Sequence, residues 1–315
     1  MNRRFIFEAE PFRADYEFEE FSDTSGAYDE ALEFFDPELD EGWWGESNAS
    51  RATYSIPKLI KSEPQPPAAT LYAEIDLKII HRDGTKGTAP MTGIFIPANY
   101  SPRPTVDLIL YLHGHKGAYP GARVPIDGYW SSRRPPVYFP LREELNHSNK
   151  NVILVAPTLG PKSEYGLLTK PARFNQYLDQ VMAALQAYGP YKTQRHSPAV
   201  GKIILSCHSG GGNPMRRLAR LKGKGGYADH ISECWGFDCL YNTADEVLWA
   251  EWARSHPRAK LFVYYLGSTK RNSEKLKAKN LPNVFVARSH ASGHYWVPKA
   301  HWRPRIQQAS FLRNR

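Results

Sequence analysis

The sequence predicts an α/β fold in which an eight-stranded, mostly parallel sheet carries helices on both faces. The first observation is that short apolar runs alternate with helical patterns from residue 68 onward. The second is that these runs are almost continuously apolar, which is typical of parallel strands buried on both faces. A segment of different composition, acidic and aromatic, precedes them. We therefore expect one α/β domain with an N-terminal tail.

The first fifty residues differ from the rest of the chain in charge and in aromatic content. They hold 15 acidic and three basic residues, a net charge of −12, together with 11 aromatic residues and few aliphatic ones. This composition favours a flexible segment that orders on binding a basic partner, either another protein or the rest of this chain. We expect a tail over 1–56, a proline-rich linker over 57–67 and the folded domain over 68–315.

The folded region opens with an antiparallel hairpin, predicted at 70–81 and 91–96 around the turn-forming stretch 83–87. Further strands are predicted at 107–112, 152–156, 202–206, 233–237, 261–266 and 284–287, and helices at 141–147, 174–188, 211–221, 244–254 and 271–278. Open sheets of this kind carry their sites at the carboxyl ends of the strands. Functional residues are therefore expected there.

Composition narrows the class of protein. A chain of 315 residues with 41% hydrophobic content can form a sizeable core. It has neither an apolar run of about 18 residues nor an apolar signal core, so we expect no membrane span and no secretory signal.

The cysteine content and the net charge indicate the compartment and the class of partner. The three cysteines, Cys207, Cys234 and Cys239, cannot form a disulfide framework, and reduced thiols favour the cytoplasm. The net charge of +9 becomes +21 without the first fifty residues, which favours anionic substrates or surfaces.

A strand, a turn of small residues and a helix follow one another between 202 and 221. The turn reads Cys-His-Ser-Gly-Gly-Gly from Cys207 to Gly212, with Ser209 at its apex. A serine on so tight a turn needs small neighbours, because larger side chains would collide with the strand or the helix. The helix start supplies free amides that stabilise negative charge on a carbonyl oxygen. The pattern indicates a nucleophilic serine, since a helix-capping serine requires no flanking run of small residues.

This turn resembles the nucleophile elbow of the α/β-hydrolase superfamily, of the serine esterase and lipase type, with Cys207 replacing the usual first glycine. The resemblance covers roughly residues 70–310. It implies that Ser209 is the nucleophile and that the Gly210 amide is one oxyanion donor. Such enzymes take the second donor from the loop after the third strand, where the sequence His-Gly-His ends at His115. The resemblance therefore assigns the His115 amide.

The resemblance also implies an acid and then a histidine, the latter in the loop after the last strand. Two histidines, His290 and His294, lie there, and we prefer His294 because a glycine precedes it and a proline follows at a closing helix. The usual position of the acid, after the seventh strand, has no aspartate. Asp238 ends the sixth strand and is our choice, with Asp245 and Glu274 as alternatives.

The predicted activity is hydrolysis of an ester, or as second choice an amide, through an acyl-enzyme on Ser209 without a cofactor. The expected substrate is a small-molecule or polymer ester, with a preference for anionic ones. The run of glycines after Ser209 matches no phosphate-binding motif. The sequence also predicts no metal site, because the spacing of the histidines differs from that of known metal-binding motifs; they are His113, His115, His290 and His294. Two other classes stay open: an inactive hydrolase-fold protein that recruits partners through tail and basic body, and a nucleic-acid-binding protein, favoured only by charge.

Overall fold

A computed structural model describes residues 55–65, 68–79, 91–115, 126, 130, 140–221 and 226–315, which form one sheet with flanking helices. The sheet of the described residues has nine strands. In chain order they are β1 (Leu59–Gln65), β2 (Ala68–Glu74), β3 (Met91–Ile96), β4 (Thr105–Leu112), β5 (Ile153–Pro157), β6 (Ala199–His208), β7 (Ile231–Phe237), β8 (Lys260–Tyr265) and β9 (Val284–Arg288).

The strands lie in the spatial order β1-β2-β3-β5-β4-β6-β7-β8-β9. The pairs β1/β2, β2/β3 and β3/β5 are antiparallel, and all pairs from β5 to β9 are parallel. In the register of the central strands, Leu110 of β4 lies beside Val155 of β5 and Leu205 of β6. The carboxyl ends of β4, β6, β7, β8 and β9 therefore meet at one edge.

Helices cover both faces of the sheet. They are α1 (Leu141–His147), α2 (Pro171–Tyr188), α3 (Gly212–Ala219), α4 (Asp245–Ser255), α5 (Lys270–Lys277) and α6 (Val297–Gln308). Leu108 and Leu110 of β4 pack on the face that buries residues of α2, α3, α4 and α5. Ile109 and Tyr111 pack on the opposite face, with α1 and α6. The strands are thus apolar on both sides, as their composition predicts, and the α/β fold class is confirmed.

The predicted hairpin is confirmed as β2 and β3, whereas its turn, 83–87, lies outside the described residues, as does most of the tail. The predictions of eight strands and of a linker over 57–67 are wrong, because residues 59–65 form β1 and pair with β2. An edge strand tolerates Pro64, since one side of its backbone needs no partner. The proline-rich stretch is therefore extended, as expected, but it belongs to the sheet.

All three cysteines are buried free thiols, in agreement with the prediction that they form no disulfide framework. They lie at Cys207 on β6, at Cys234 on β7 and at Cys239 just after β7. Among the described residues, no helix is both long enough and apolar enough to cross a membrane.

Candidate active site

Ser209 lies at the turn between β6 and α3, at the carboxyl edge of the sheet. The strand ends at His208, Ser209–Gly211 form one turn of 3-10 helix, and α3 begins at Gly212. Ser209 has a φ of 54°. This left-handed conformation costs an L-residue about 1–2 kcal/mol. The sharp turn keeps the half-buried Ser209 out of both the strand and the helix.

The glycines after Ser209 let the turn pack against two neighbouring strand ends. A Cβ atom at Gly211 would lie 2.2 Å from the carbonyl oxygen of Leu112, which ends β4. A Cβ atom at Gly212 would lie 2.4 Å from the carbonyl oxygen of Cys239, just after β7. Both distances are far too short for a real carbon–oxygen contact, so this packing requires glycine. The run of small residues in the sequence therefore reflects close backbone packing.

The loop after β4 also approaches Ser209, since a Cβ atom at Gly114 would lie 2.6 Å from Ser209 Cβ. The buried His113 holds this loop. Leu159 N donates to His113 Nε2 at 2.8 Å, which leaves the proton on Nδ1, and Nδ1 donates to the Gly114 carbonyl oxygen at 2.8 Å. A trans peptide points its C=O and its N–H in opposite directions. The His115 amide is therefore directed away from His113.

The side chain of His115 lies against Gly210. A Cβ atom at Gly210 would be 2.2 Å from His115 Cδ2 and 3.0 Å from Ser163 Oγ. Ser163 follows β5 and donates to the His113 carbonyl oxygen at 3.0 Å. The two residues that the sequence assigns as oxyanion donors thus lie on segments that touch each other beside Ser209.

His294 and Asp238 are in direct contact. His294 begins a short 3-10 helix after β9, and Asp238 follows β7 with a φ of 49°. His294 Nδ1 lies 2.7 Å from Asp238 Oδ2, in a hydrogen bond that the ring nitrogen donates. Asp238 is fully buried and His294 is half-buried, so the carboxylate lies behind the imidazole. The structure joins the preferred histidine and acid across 56 positions of the chain.

The loop after β8 holds the other carboxylate oxygen. Asp238 Oδ1 accepts hydrogen bonds from Leu266 N, at 2.8 Å, and from the buried Thr269 hydroxyl. Burial by itself raises the pKa of Asp238, but the hydrogen bonds from His294, Thr269 and Leu266 outweigh it and hold the pKa below its ordinary value. Asp238 is therefore ionised at neutral pH, as a group that orients an imidazole must be.

His208 packs behind His294. Their ring centroids lie 4.4 Å apart, and His208 Nε2 donates to the His294 carbonyl oxygen at 3.1 Å. Burial, together with the charge of His294, holds the pKa of His208 well below its ordinary value. His208 is consequently neutral near pH 7, and it anchors the histidine loop without adding charge to the site.

Tyr241 is a site residue to which the sequence assigned no catalytic role. Its hydroxyl lies 3.5 Å from His294 Nδ1 and also interacts with the side chains of Ser209 and Ser268. Within this described group, His294 Nδ1 bonds to Asp238 and lies near the Tyr241 hydroxyl, and no hydrogen bond joins the ring to Ser209 Oγ. Such bonds are often looser in resting enzymes than in reacting ones. The residues around a tyrosine that follows a strand do not predict that its hydroxyl will lie beside a distant histidine.

The alternative acids and histidine have other partners. Asp245 forms an ion pair of 2.5 Å with Arg216, and Glu274 accepts a hydrogen bond from a tyrosine of β8. His290 packs against His301, with ring centroids 4.7 Å apart. None of these contacts involves the candidate nucleophile. In the part of the chain that the structure describes, no group of three or more His, Cys, Asp or Glu side chains is placed to hold a metal ion.

The strand order and the position of the elbow identify the fold. A sheet that is antiparallel at its N-terminal end and parallel from β5 to β9 turns sharply at Ser209 after β6, and a histidine loop follows its last strand. This is the α/β-hydrolase fold, with β1 as an additional strand at one edge.

Comparison with known proteins gives distant likenesses to solved structures. No family model matches the chain, and no curated protein matches its sequence. Similar solved structures include an S-formylglutathione hydrolase from Agrobacterium tumefaciens, at 11% identity over 79% of this chain and 97% of that one, with a TM-score of 0.46. The cell wall degrading esterase LipA from Xanthomonas oryzae is 10% identical over 78% of this chain and 91% of that one, with a TM-score of 0.44. A dienelactone hydrolase from Anabaena variabilis is 12% identical over 78% of this chain and 99% of that one, with a TM-score of 0.42. Likenesses at these identities and TM-scores assign no activity to this chain, and the fold assignment rests on its own strand order.

Proposed function

We propose that this protein is a serine hydrolase that cleaves an ester bond through an acyl-enzyme on Ser209. The observation that carries the proposal is the 2.7 Å hydrogen bond between His294 and the buried Asp238, at the sheet edge where Ser209 forms a strained elbow. A helix cap or a phosphate-binding turn would not need an ionised carboxylate holding a histidine there. Amides are the second choice of substrate, and the net charge of +21 outside the first fifty residues favours anionic esters.

In the proposed reaction, Ser209 Oγ attacks the carbonyl carbon while its proton passes to His294 Nε2. The Gly210 and His115 amides donate to the oxyanion that forms. His294 then protonates the leaving alcohol, and the acyl group stays on Ser209. Water repeats the attack, His294 takes and returns the second proton, and the acid is released. Asp238 orients the imidazole and stabilises its charged form throughout.

The test is fluorophosphonate labelling of the full-length protein, together with hydrolysis of short-chain p-nitrophenyl esters. We expect the wild type to be labelled and Ser209→Ala to lose both the label and several powers of ten in turnover. Its melting temperature should hardly change, because a single half-buried hydroxyl contributes little to stability.

Ser292→Ala is the control, since this exposed serine lies in the same loop as His294. It should keep both the label and the activity of the wild type. Equal labelling of Ser209→Ala and wild type would place the nucleophile elsewhere. A folded wild type that neither reacts nor turns over would instead favour a binding protein on a hydrolase fold.

A further inference from the structure

We propose that Tyr241 is a catalytic residue whose hydroxyl donates a hydrogen bond to Ser209 Oγ whenever that oxygen carries negative charge. The inference rests on the proposed hydrolase function and adds a residue to it. Tyr241 lies in the loop after β7, three positions beyond Asp238. The fold thus brings the acid and this hydroxyl to the site on one short segment.

The hydroxyl lies beside the His294 ring and interacts with the side chain of Ser209. It lies 3.5 Å from His294 Nδ1, and the two rings meet edge to face with centroids 6.3 Å apart. Nδ1 donates its proton to Asp238 at 2.7 Å, so it has no lone pair to accept one from the tyrosine. His294 therefore does not hold the hydroxyl proton, and Ser268 and Ser209 are the other side chains with which the hydroxyl interacts. A neutral Ser209 can donate to the tyrosine oxygen, but once Oγ has lost its proton it can only accept a hydrogen bond.

The hydroxyl keeps its proton in the resting site. Burial, and after it the negative charge of Asp238, raises the pKa of Tyr241 above its ordinary value. Tyr241 therefore acts as a hydrogen-bond donor and not as a base. It donates without transferring its proton, so His294 still carries every proton that moves in the reaction.

Two steps place negative charge on Ser209 Oγ. In acylation, Oγ loses its proton to His294 Nε2 as it forms the bond to the carbonyl carbon. In deacylation, the bond from the acyl carbon to Oγ breaks, and Oγ takes the bonding electron pair and then the proton that His294 received from water. A hydrogen bond to a charged oxygen is stronger than one to a neutral hydroxyl. Tyr241 therefore stabilises both transition states more than the ground state.

The experiment compares Tyr241→Phe with the full-length wild type on p-nitrophenyl acetate, by stopped-flow and steady-state kinetics. We expect kcat to fall by about 10- to 100-fold, since the lost bond is one to a charged group. The acylation burst and the later steady rate should both slow, with little change in KM and in melting temperature. Tyr264→Phe is the matched control: its half-buried ring lies on the neighbouring β8, and it should keep the kinetics of the wild type.

An unchanged kcat in Tyr241→Phe would overturn the proposal, because the phenyl ring alone would then suffice. A higher kcat would also overturn it, since the hydroxyl would then be holding Ser209 away from His294. Fluorophosphonate labelling separates these results from failure of the hydrolase function. If wild type and Tyr241→Phe are both labelled at Ser209, a null result concerns Tyr241 alone, whereas an unlabelled wild type removes both proposals.

Discussion

Ser209 and Asp238 share an uncommon backbone conformation. Their φ values are 54° and 49°, and each residue directly follows a strand of the central sheet. The left-handed region is unfavourable for L-residues by about 1–2 kcal/mol, although aspartate tolerates it better than most. The backbone therefore leaves the sheet abruptly at the carboxyl end of each of these strands. Because β6 pairs with β7, the serine and the aspartate follow neighbouring strands.

The carboxylate of Asp238 accepts three hydrogen bonds, from His294, Thr269 and Leu266. Asp238→Asn should lower kcat on p-nitrophenyl esters by about 10³- to 10⁴-fold, because an amide favours the wrong tautomer of the histidine. Glu274→Gln, whose carboxylate contacts a tyrosine of β8, should stay within a few-fold of wild type. If the larger loss came from Glu274→Gln, the acid would lie on α5, the helix that follows β8.

At the scale of elements, β1 is tied to the domain by an ion pair as well as by its ladder with β2. The buried Arg142 of α1 donates from Nη1 to Glu63 Oε2 at 3.2 Å, to Thr70 Oγ1 at 2.9 Å and to the Tyr72 hydroxyl at 3.2 Å. Glu63 of β1 supplies the negative charge in this network. The proline-rich strand therefore neutralises a buried cation.

Glu63→Gln should lower the free energy of unfolding by about 1–2 kcal/mol, because it leaves the Arg142 guanidinium without its carboxylate. Glu74→Gln, on the neighbouring β2 and exposed, is the control and should change little. Burial raises the pKa of Glu63, but hydrogen bonds from Arg142 and Lys61 lower it overall from 4.5. The stabilisation is thus complete above this pH and lost as pH falls below it. In urea unfolding, the wild type and Glu63→Gln should therefore differ more in free energy of unfolding at pH 7 than at pH 3.

At the scale of the whole molecule, the chain is divided by charge. Residues 1–50 carry a net charge of −12 and the remainder carries +21. Because the acidic and basic residues lie on one chain, the acidic ones weaken the attraction between the basic ones and a polyanion such as heparin. In moderate salt such charges act on each other over about 8–10 Å. Deleting residues 1–50 should therefore raise the NaCl concentration that elutes the protein from heparin.

All the candidate site residues lie beyond the deletion, so the truncated protein should turn over p-nitrophenyl esters at the rate of the full-length protein. Elution of both proteins at the same salt concentration would show that the tail does not affect binding of anions by the rest of the chain. The tail would then serve a separate partner, as its acidic and aromatic composition also permits.

The sequence by itself determined the features that depend on near neighbours in the chain. The alternation of strands and helices follows from local apolar patterns, and the small residues around Ser209 predict the elbow because they permit close backbone packing. The linker was misread for the same reason, since a proline-rich stretch looks extended whether or not it pairs with a strand. Nothing near Glu63 shows that Arg142, 79 positions away, is its partner.

Only the tertiary structure decided which distant side chains meet. Asp238, Asp245 and Glu274 all lie beyond strand ends, and their local sequences do not distinguish them. The parallel order of β7, β8 and β9 places Asp238 against His294, with Thr269 and Leu266 as donors from the loop between. The same holds for Tyr241, because its proposed role depends on the position of its hydroxyl to within a few ångströms. Sheet order and side-chain packing determine that position, and local sequence does not.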